Sequence, residues 1–376
     1  VNSATKDKNA EIQNNDGNVQ TTAAKTYTLS GTCAQMAAKW NEAISYSKAQ
    51  RALVQVDLHS DWTAVTDSTY GTSFGTGVGF DSGRIYVPDG ANIKLTLSYY
   101  YMGSTFCNIN RNLSTSHSNG EVFYVCGKLE IVDENFDTTD FTEALKNGNL
   151  PKNGRGGIIT GGNSTSYCSA ILVSGINAEF ILDGGCVGKN KASVVSDING
   201  GVKHGAIVVY NRATVTLKSG VIGGNIVDSE RNYNYPVGAV LLDYGTLNLG
   251  ANDYYGINIC YNQCGGVAAL NNQKPNLYGG INIYGNTFAY GSYNLSASCQ
   301  VAANFTTRNN INWSVSSGLE IYDFNKFMQG KNPAQYFLDD SDSQIAMLNP
   351  STYNVVFTVP LYVDKPPTAD TAYKEY

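Results

Sequence analysis

An internal repeat limits what this chain can fold into more than any other feature. Ala170 to Asn190 reads AILVSGINAEFILDGGCVGKN, and Ala206 to Asn225 reads AIVVYNRATVTLKSGVIGGN. From Ala178 and Ala213 onward the two segments have the same length. Each passes through alternating strand residues and a glycine turn to a closing Gly-x-Asn. Looser copies run from Ala239-Val240-Leu241-Leu242 to Asn262 and from Gly266-Val267-Ala268-Ala269 to Asn286, with partial ones at Gly120 to Val125 and Gly157 to Asn163. Self-similarity of this kind marks an array of stacked units that cannot bury their apolar faces singly. No unit has helical periodicity long enough for a crossover helix, so flat turns must join the strands. The expected fold class is therefore all-β, a right-handed parallel β-helix (solenoid) whose rungs pair about 4.8 Å apart. The hand follows from the usual twist of parallel strands. Glycine and asparagine tolerate left-handed backbone at the corners, where like residues such as Asn190, Asn225, Asn262 and Asn286 can stack. A propeller or a sandwich fits less well, because each needs more evenly spaced or longer strands without a repeated terminal motif.

The flanks of the array differ from it. Residues 1–25 hold few large apolar groups and are expected to be a mobile leader, and 26–66 an N-terminal cap. In that cap Met36, Ala37, Trp40, Ala43 and Ile44 recur at helical spacing, which predicts a short amphipathic helix from Ala34 to Ala49 covering one end of the sheets. The strand-like run Ala52 to Leu58 follows it. The β-helix with insertions is placed over 67–330, an irregular C-terminal cap over 331–364, and a linker containing Lys365-Pro366-Pro367 over 365–376.

Of 376 residues only 15% are charged and 42% are hydrophobic, with 39 glycines and 26 tyrosines. That profile suits an extracellular β protein with a continuous core. The formal net charge is −6 and no basic run follows a phosphate backbone, so nucleic acid is not an expected partner. No stretch is long and apolar enough for membrane insertion of this segment. The eight cysteines are scattered without a CxxC pair, which disfavours a zinc ribbon and leaves free thiols and disulfides both open.

From about Thr28 to Asn286 the chain also resembles a known family, the large Gly- and Asn-rich β-helix proteins on the surfaces of Gram-positive anaerobes. The residues carrying the resemblance are Trp40-Asn41-Glu42-Ala43, Asp61-Trp62-Thr63-Ala64, Gly83 to Ile93, Ile109-Asn110-Arg111-Asn112-Leu113, Gly127-Lys128-Leu129-Glu130-Ile131 and the rung Ser219 to Asn225. The chain departs from that pattern at Tyr99 to Cys107, where such proteins have a short Asn-Gly turn. The resemblance implies a secreted or cell-wall-attached location and an adhesin-like role, and it is poor for function beyond that.

Catalytic motifs are sparse. A polygalacturonase-like site needs Asn-x-Asp, an Asp pair, His-Gly and Arg-x-Lys in that order. His204-Gly205 is present, but the Asp pair Asp339-Asp340 follows it, Arg-x-Lys is missing, and an Asn-x-Asp lies in the leader at Asn14 to Asp16. Asp339, Asp340 and Asp342 read as a solvated turn rather than a calcium site, and His59, His117 and His204 have no metal spacing. Gly75-Thr76-Gly77-Val78-Gly79 lacks the Lys-Ser/Thr of a phosphate loop and reads as a turn.

Binding therefore leads. Tyr99, Tyr100, Tyr101, Tyr233, Tyr235, Tyr254 and Tyr255 fall in insertions between rungs, where aromatic rings can stack on sugars or pack into a partner. The expectation is a non-enzymatic adhesin-like protein with no cofactor, whose partner is a glycan or a host/partner protein. A polysaccharide-degrading lyase or glycoside hydrolase is the alternative, and would need carboxylates converging within roughly 10 Å in a groove. A structural spacer or filament subunit is the third reading, and predicts no exposed aromatic patch.

Overall fold

A computed structural model of the chain describes residues 23–100, 104–151, 155–193, 204–228, 238–251, 256–271 and 273–288. It also describes short stretches at 12–13, 19–20, 291–292, 300–301, 311–312, 337–338, 345–349, 351 and 355–358. The described fold is all-β apart from two helices, and its main sheets are parallel. In the long sheet, Lys25–Leu29, Leu53–Leu58, Asn92–Thr96, Lys128–Val132, Glu179–Gly188, Thr214–Gly223, Thr246–Gly250, Asn276–Gly279 and Gln300–Val301 are neighbours in that order. Glu179–Gly188 and Thr214–Gly223 carry register shifts near Asp183 and Cys186. Their second halves pair with Ile158–Thr160 on one side and Ile257–Cys260 on the other, and that row continues to Ile281–Tyr284. A second sheet orders Arg84–Val87, Phe123–Val125, Cys168–Ser174, Gly205–Tyr210, Val240–Asp243 and Val267–Ala269, all parallel. The chain visits the sheets in turn: from Glu179 in the long sheet, through Val187, to Gly205–Tyr210 in the second, and back to Thr214.

The repeat supplies this register. Glu179 faces Thr214, Leu182 faces Leu217 and Val187 faces Ile222, the alignment read from the sequence. Alternate residues then share one core, in which Phe180, Leu182, Val215, Leu217, Leu247, Ile171, Ile207 and Val240 are all fully buried. Burial of apolar surface, worth roughly 25 cal/mol per Å², therefore accrues continuously along the stack.

The corner asparagines form a ladder. Asn190 Nδ2 donates to Asn225 Oδ1 at 3.1 Å, Asn225 Nδ2 to Asn262 Oδ1 at 2.9 Å, and Asn262 Nδ2 to Asn286 Oδ1 at 2.8 Å. The same oxygens accept the backbone N–H groups of Asn190, Asn225 and Asn262 at 3.1, 3.0 and 3.1 Å. All four side chains are at most 1% exposed. A buried amide has both donors and acceptors to satisfy, and repeating it in each rung satisfies them with its own copies.

The first helix, α1, spans Cys33–Gln50 and matches the expected segment. Thr32 and Gln35 form a capping box, and Arg51 ends the helix in left-handed backbone at φ 51°. Its buried face, Met36, Ala37, Trp40, Ala43, Ile44 and Ser47, packs on the first strands, with Trp40 edge-on to Trp62 at 5.9 Å. The run Gly75 to Gly79 is a loop laid on this helix, where Trp40 Nε1 donates to Gly79 O at 2.9 Å. A Cβ on Gly79 would lie 2.3 Å from the Trp40 ring, which explains a glycine there. The second helix, α2, at Thr138–Lys146, was not foreseen. It lies outside the core and buries Phe141 and Leu145 against Ile158, Cys186, Val221 and Cys260.

Three further points refine the sequence reading. The stretch from Ser98 to Cys107 contains an antiparallel hairpin, Ser98–Tyr100 with Ser104–Phe106. Val208 faces away from the main core and packs with Cys168, Leu172, Leu241 and Ala268, although it too is fully buried. Cys33, Cys107, Cys126, Cys168, Cys186, Cys260 and Cys264 are free thiols, whereas Cys299 lies outside the described residues. No helix among the described residues is long and apolar enough to cross a membrane.

Candidate ligand-binding groove

A half-open groove of about 690 Å³ lies on the outer side of the long sheet, where Lys128–Val132 ends and α2 begins. Stretches distant in sequence meet there: Lys94, the turn from Val132 to Thr139, Arg155, Asp183-Gly184 and Ser219-Gly220. Strand register brings them together, since Lys94 pairs with Glu130, Val132 with Asp183, and Asp183 with Ser219. Gly184 and Gly220 take left-handed backbone, at φ 97° and 111°. A Cβ on Gly184 would lie 2.3 Å from Asp133 O, and one on Gly220 2.5 Å from Gly185 O, so only glycine lets these rungs stack closely.

The polar groups of the groove form two sets. On the strands, Lys218 and Glu130 flank the lining residues: Lys218 Nζ lies 3.9 Å from Glu130 Oε1 and 3.6 Å from Asp183 Oδ2, and Lys94 Nζ lies 3.9 Å from Glu130 Oε2. Ser219 Oγ donates to Asp183 Oδ1 at 2.9 Å. In the turn, Asp137 caps α2 by accepting from Thr139 N at 3.0 Å and is ion-paired with Arg155. Asp133 lies beneath. It is 3% exposed, and its Oδ2 accepts from Gly157 N at 2.8 Å. Its Oδ1 is buried without a hydrogen-bond partner, although the Ser98 hydroxyl and the Asn135 backbone N–H lie near enough to favour the anion. Burial dominates and raises the Asp133 pKa from 3.8 to about 6.

Beyond the groove the same face continues as rows of amides and hydroxyls. Gln55 Nε2 donates to Thr96 Oγ1 at 2.5 Å, Asn248 Nδ2 to Thr216 Oγ1 at 3.1 Å, and Asn276 Nδ2 to Asn248 Oδ1 at 3.0 Å. Such a surface can exchange hydrogen bonds with a polyhydroxylated polymer at each rung.

A second group of buried charges belongs to the scaffold. Arg84 pairs with Glu121 at 3.2 Å and with Asp81, and lies over the Tyr124 ring. Arg111, fully buried, donates to the carbonyls of Thr72, Ser82, Asn119 and Glu121 and so pins their turns. His204 is 1% exposed and lies against Ser166 O at 3.0 Å; burial lowers its pKa to about 4. A ring so enclosed is a core histidine. Among the described residues no group of three or more His, Cys, Asp or Glu is placed to hold a metal ion.

Tyr99 and Tyr100 belong to the hairpin strand Ser98–Tyr100, but their side chains lie outside the described residues, as do Tyr101, Tyr233, Tyr235, Tyr254 and Tyr255. Asp339, Asp340 and Asp342 lie outside them too. Two other aromatic residues, Tyr210 and Tyr244, are 39% and 48% exposed and were not singled out. The groove itself was also missed, although one signal was available: Asn135-Phe136-Asp137 is a second Asn-x-Asp, upstream of His204.

No protein-family model matches this chain, no curated protein matches it, and no solved structure matches it.

Proposed function

We propose that this chain is a right-handed parallel β-helix of a cell surface, secreted or wall-attached, whose grooved polar face binds a glycan without cleaving it. The solenoid reading rests on the order in which the chain returns to each sheet and on the four-membered asparagine ladder at one corner. The binding reading rests on one observation: Lys94, Asp183, Ser219 and the 132–139 turn converge on a groove continuous with rows of amides and hydroxyls. Strands stacked about 4.8 Å apart give that face a periodic set of donors and acceptors, a match for an extended chain of sugars. The exposed Tyr244 and Tyr210 weigh against a bare spacer.

The test is a glycan-binding screen on the purified chain with two variants. Combined Lys94→Ala and Asp183→Ala should weaken binding roughly tenfold or more while leaving the circular dichroism spectrum unchanged. Should binding survive that change but disappear when Tyr233, Tyr235, Tyr254 and Tyr255 are together replaced by alanine, the ligand site is in the insertions and not in this groove.

Polysaccharide cleavage is the second reading, favoured by carboxylate geometry. One ammonium bridging Glu130 and Asp183 at 3.9 and 3.6 Å holds the two bridged oxygens to at most roughly 7.5 Å of separation, inside the roughly 10 Å that cleavage would require. New reducing ends or unsaturated products on incubation with the bound glycan would establish that reading in place of simple binding.

A further inference from the structure

The groove has more negative charge than its cations neutralise. Of its carboxylates, Asp137 is paired with Arg155 and Asp183 is shared with Lys218, but Glu134 and Asp133 have no cation partner among the described residues. Asp133 is also 97% shielded, given its 3% exposure, with Oδ1 unpartnered. Leaving a buried carboxylate oxygen unpaired is costly, and the cost is recovered when a ligand supplies a strong donor. A neutral hydroxyl could supply one bond. A protonated amine supplies three donors and a compensating charge, and charge-assisted bonds are roughly twice as strong as neutral ones.

Resting on the glycan reading above, we propose that the groove selects an amino sugar with a free, protonated amine, its ammonium lodged between Asp133 and Glu134 and its ring hydroxyls against Ser219, Thr138 and Thr139. Each of these residues lines the groove. A lysine side chain of a protein partner carries the same ammonium. The sugar is favoured because the groove, at about 690 Å³, is far wider than one alkyl chain, and it opens onto polar rows rather than apolar ones.

Calorimetric titration near neutral pH with a β-1,4-linked glucosamine tetrasaccharide and its fully N-acetylated counterpart tests this. The free-amine form should bind roughly tenfold or more tightly. Asp133→Asn and, separately, the exposed Glu134→Gln should each abolish most of that preference, the second without any risk to the buried turn. Equal affinity for the two sugars, or a preference for the acetylated one, overturns the amine inference and leaves the glycan reading standing. Failure of these and every other screened glycan to bind overturns both. Capture of an oligolysine peptide in place of the tetrasaccharide, with the same sensitivity to Asp133→Asn, overturns the sugar and assigns the ammonium to a protein partner.

Discussion

Replacing Asn225 by alanine removes the second member of the corner ladder and should cost about 2.5–7.5 kcal/mol. The Asn225 amide donates to Val187 O at 3.1 Å and to Asn262 Oδ1 at 2.9 Å, and its oxygen accepts from the Asn190 backbone N and Nδ2, both at 3.1 Å. The losses are unequal. Asn262 Oδ1 keeps the Asn225 backbone N–H at 3.0 Å, and Asn190 Nδ2 keeps Ile159 O and Gly188 O, each at 3.2 Å. The Asn190 backbone N–H is stranded in a site with no exposure, at a cost of roughly 1–3 kcal/mol, and the three other bonds add about 0.5–1.5 kcal/mol each. A water entering the vacated space would recover part of this. Asn225→Asp keeps the shape but removes the donors and turns a carboxylate toward Val187 O and Asn262 Oδ1. It should be at least as damaging at neutral pH and recover as pH falls, because protonation restores one donor. Stacked parallel strands can open locally, so urea unfolding should be joined to hydrogen exchange on peptides covering 186–193 and 222–228. Exchange there should accelerate before the far strands respond. A shift under about 1 kcal/mol with unchanged exchange would refute the ladder as a stabilising element.

Two other perturbations probe the core and the buried titratable groups. Val215→Asp places a charge in the main core and Val208→Asp places one in the separate cluster with Leu172 and Leu241; with both valines fully buried, each variant should fail to unfold cooperatively by circular dichroism. A Val208→Asp protein as stable as the parent would mean that this outward row is not sealed. Asp133 and His204 predict opposing pH effects. The Asp133 pKa is raised from 3.8 to about 6, so the folded state binds that proton more tightly and stability falls as pH rises from about 4 to 6. The His204 pKa is lowered from 6.5 to about 4, so its contribution is present above about 6.5 and lost as pH falls toward 4. Asp133→Asn should therefore stabilise the protein at pH 7 by about 3 kcal/mol, with the gain vanishing near pH 4, while steepening the acid loss due to His204. An urea midpoint that is pH-independent in both proteins would contradict these burials.

What the chain alone determined is what repeats locally. The alternation in Glu179 to Leu182 and Thr214 to Leu217 assigns inward residues because strand side chains have a period of two, and Gly-x-Asn at 190 and 225 marks corners because glycine and asparagine bear unusual backbone. The capped, periodic segment around Trp40 was legible for the same reason. Where the pattern is uniform the reading fails: Ala206-Ile207-Val208-Val209 is apolar throughout, and only the neighbours Leu172 and Leu241 decide that Val208 faces outward. Helix α2 was hidden because nine residues with Phe141 and Leu145 as its buried positions carry too little periodicity; its docking on Ile158, Val221 and Cys260 gives it an apolar partner surface. The groove depends still more on tertiary structure. Lys94, Asp133, Asp183 and Ser219 are strangers in sequence, made neighbours by successive rungs, and the orphaned oxygen of Asp133 exists only because packing around Gly157 and Gly184 withdraws it from water. Strand register is written in local periodicity, whereas desolvation is a property of everything packed around an atom, and only the folded chain specifies it.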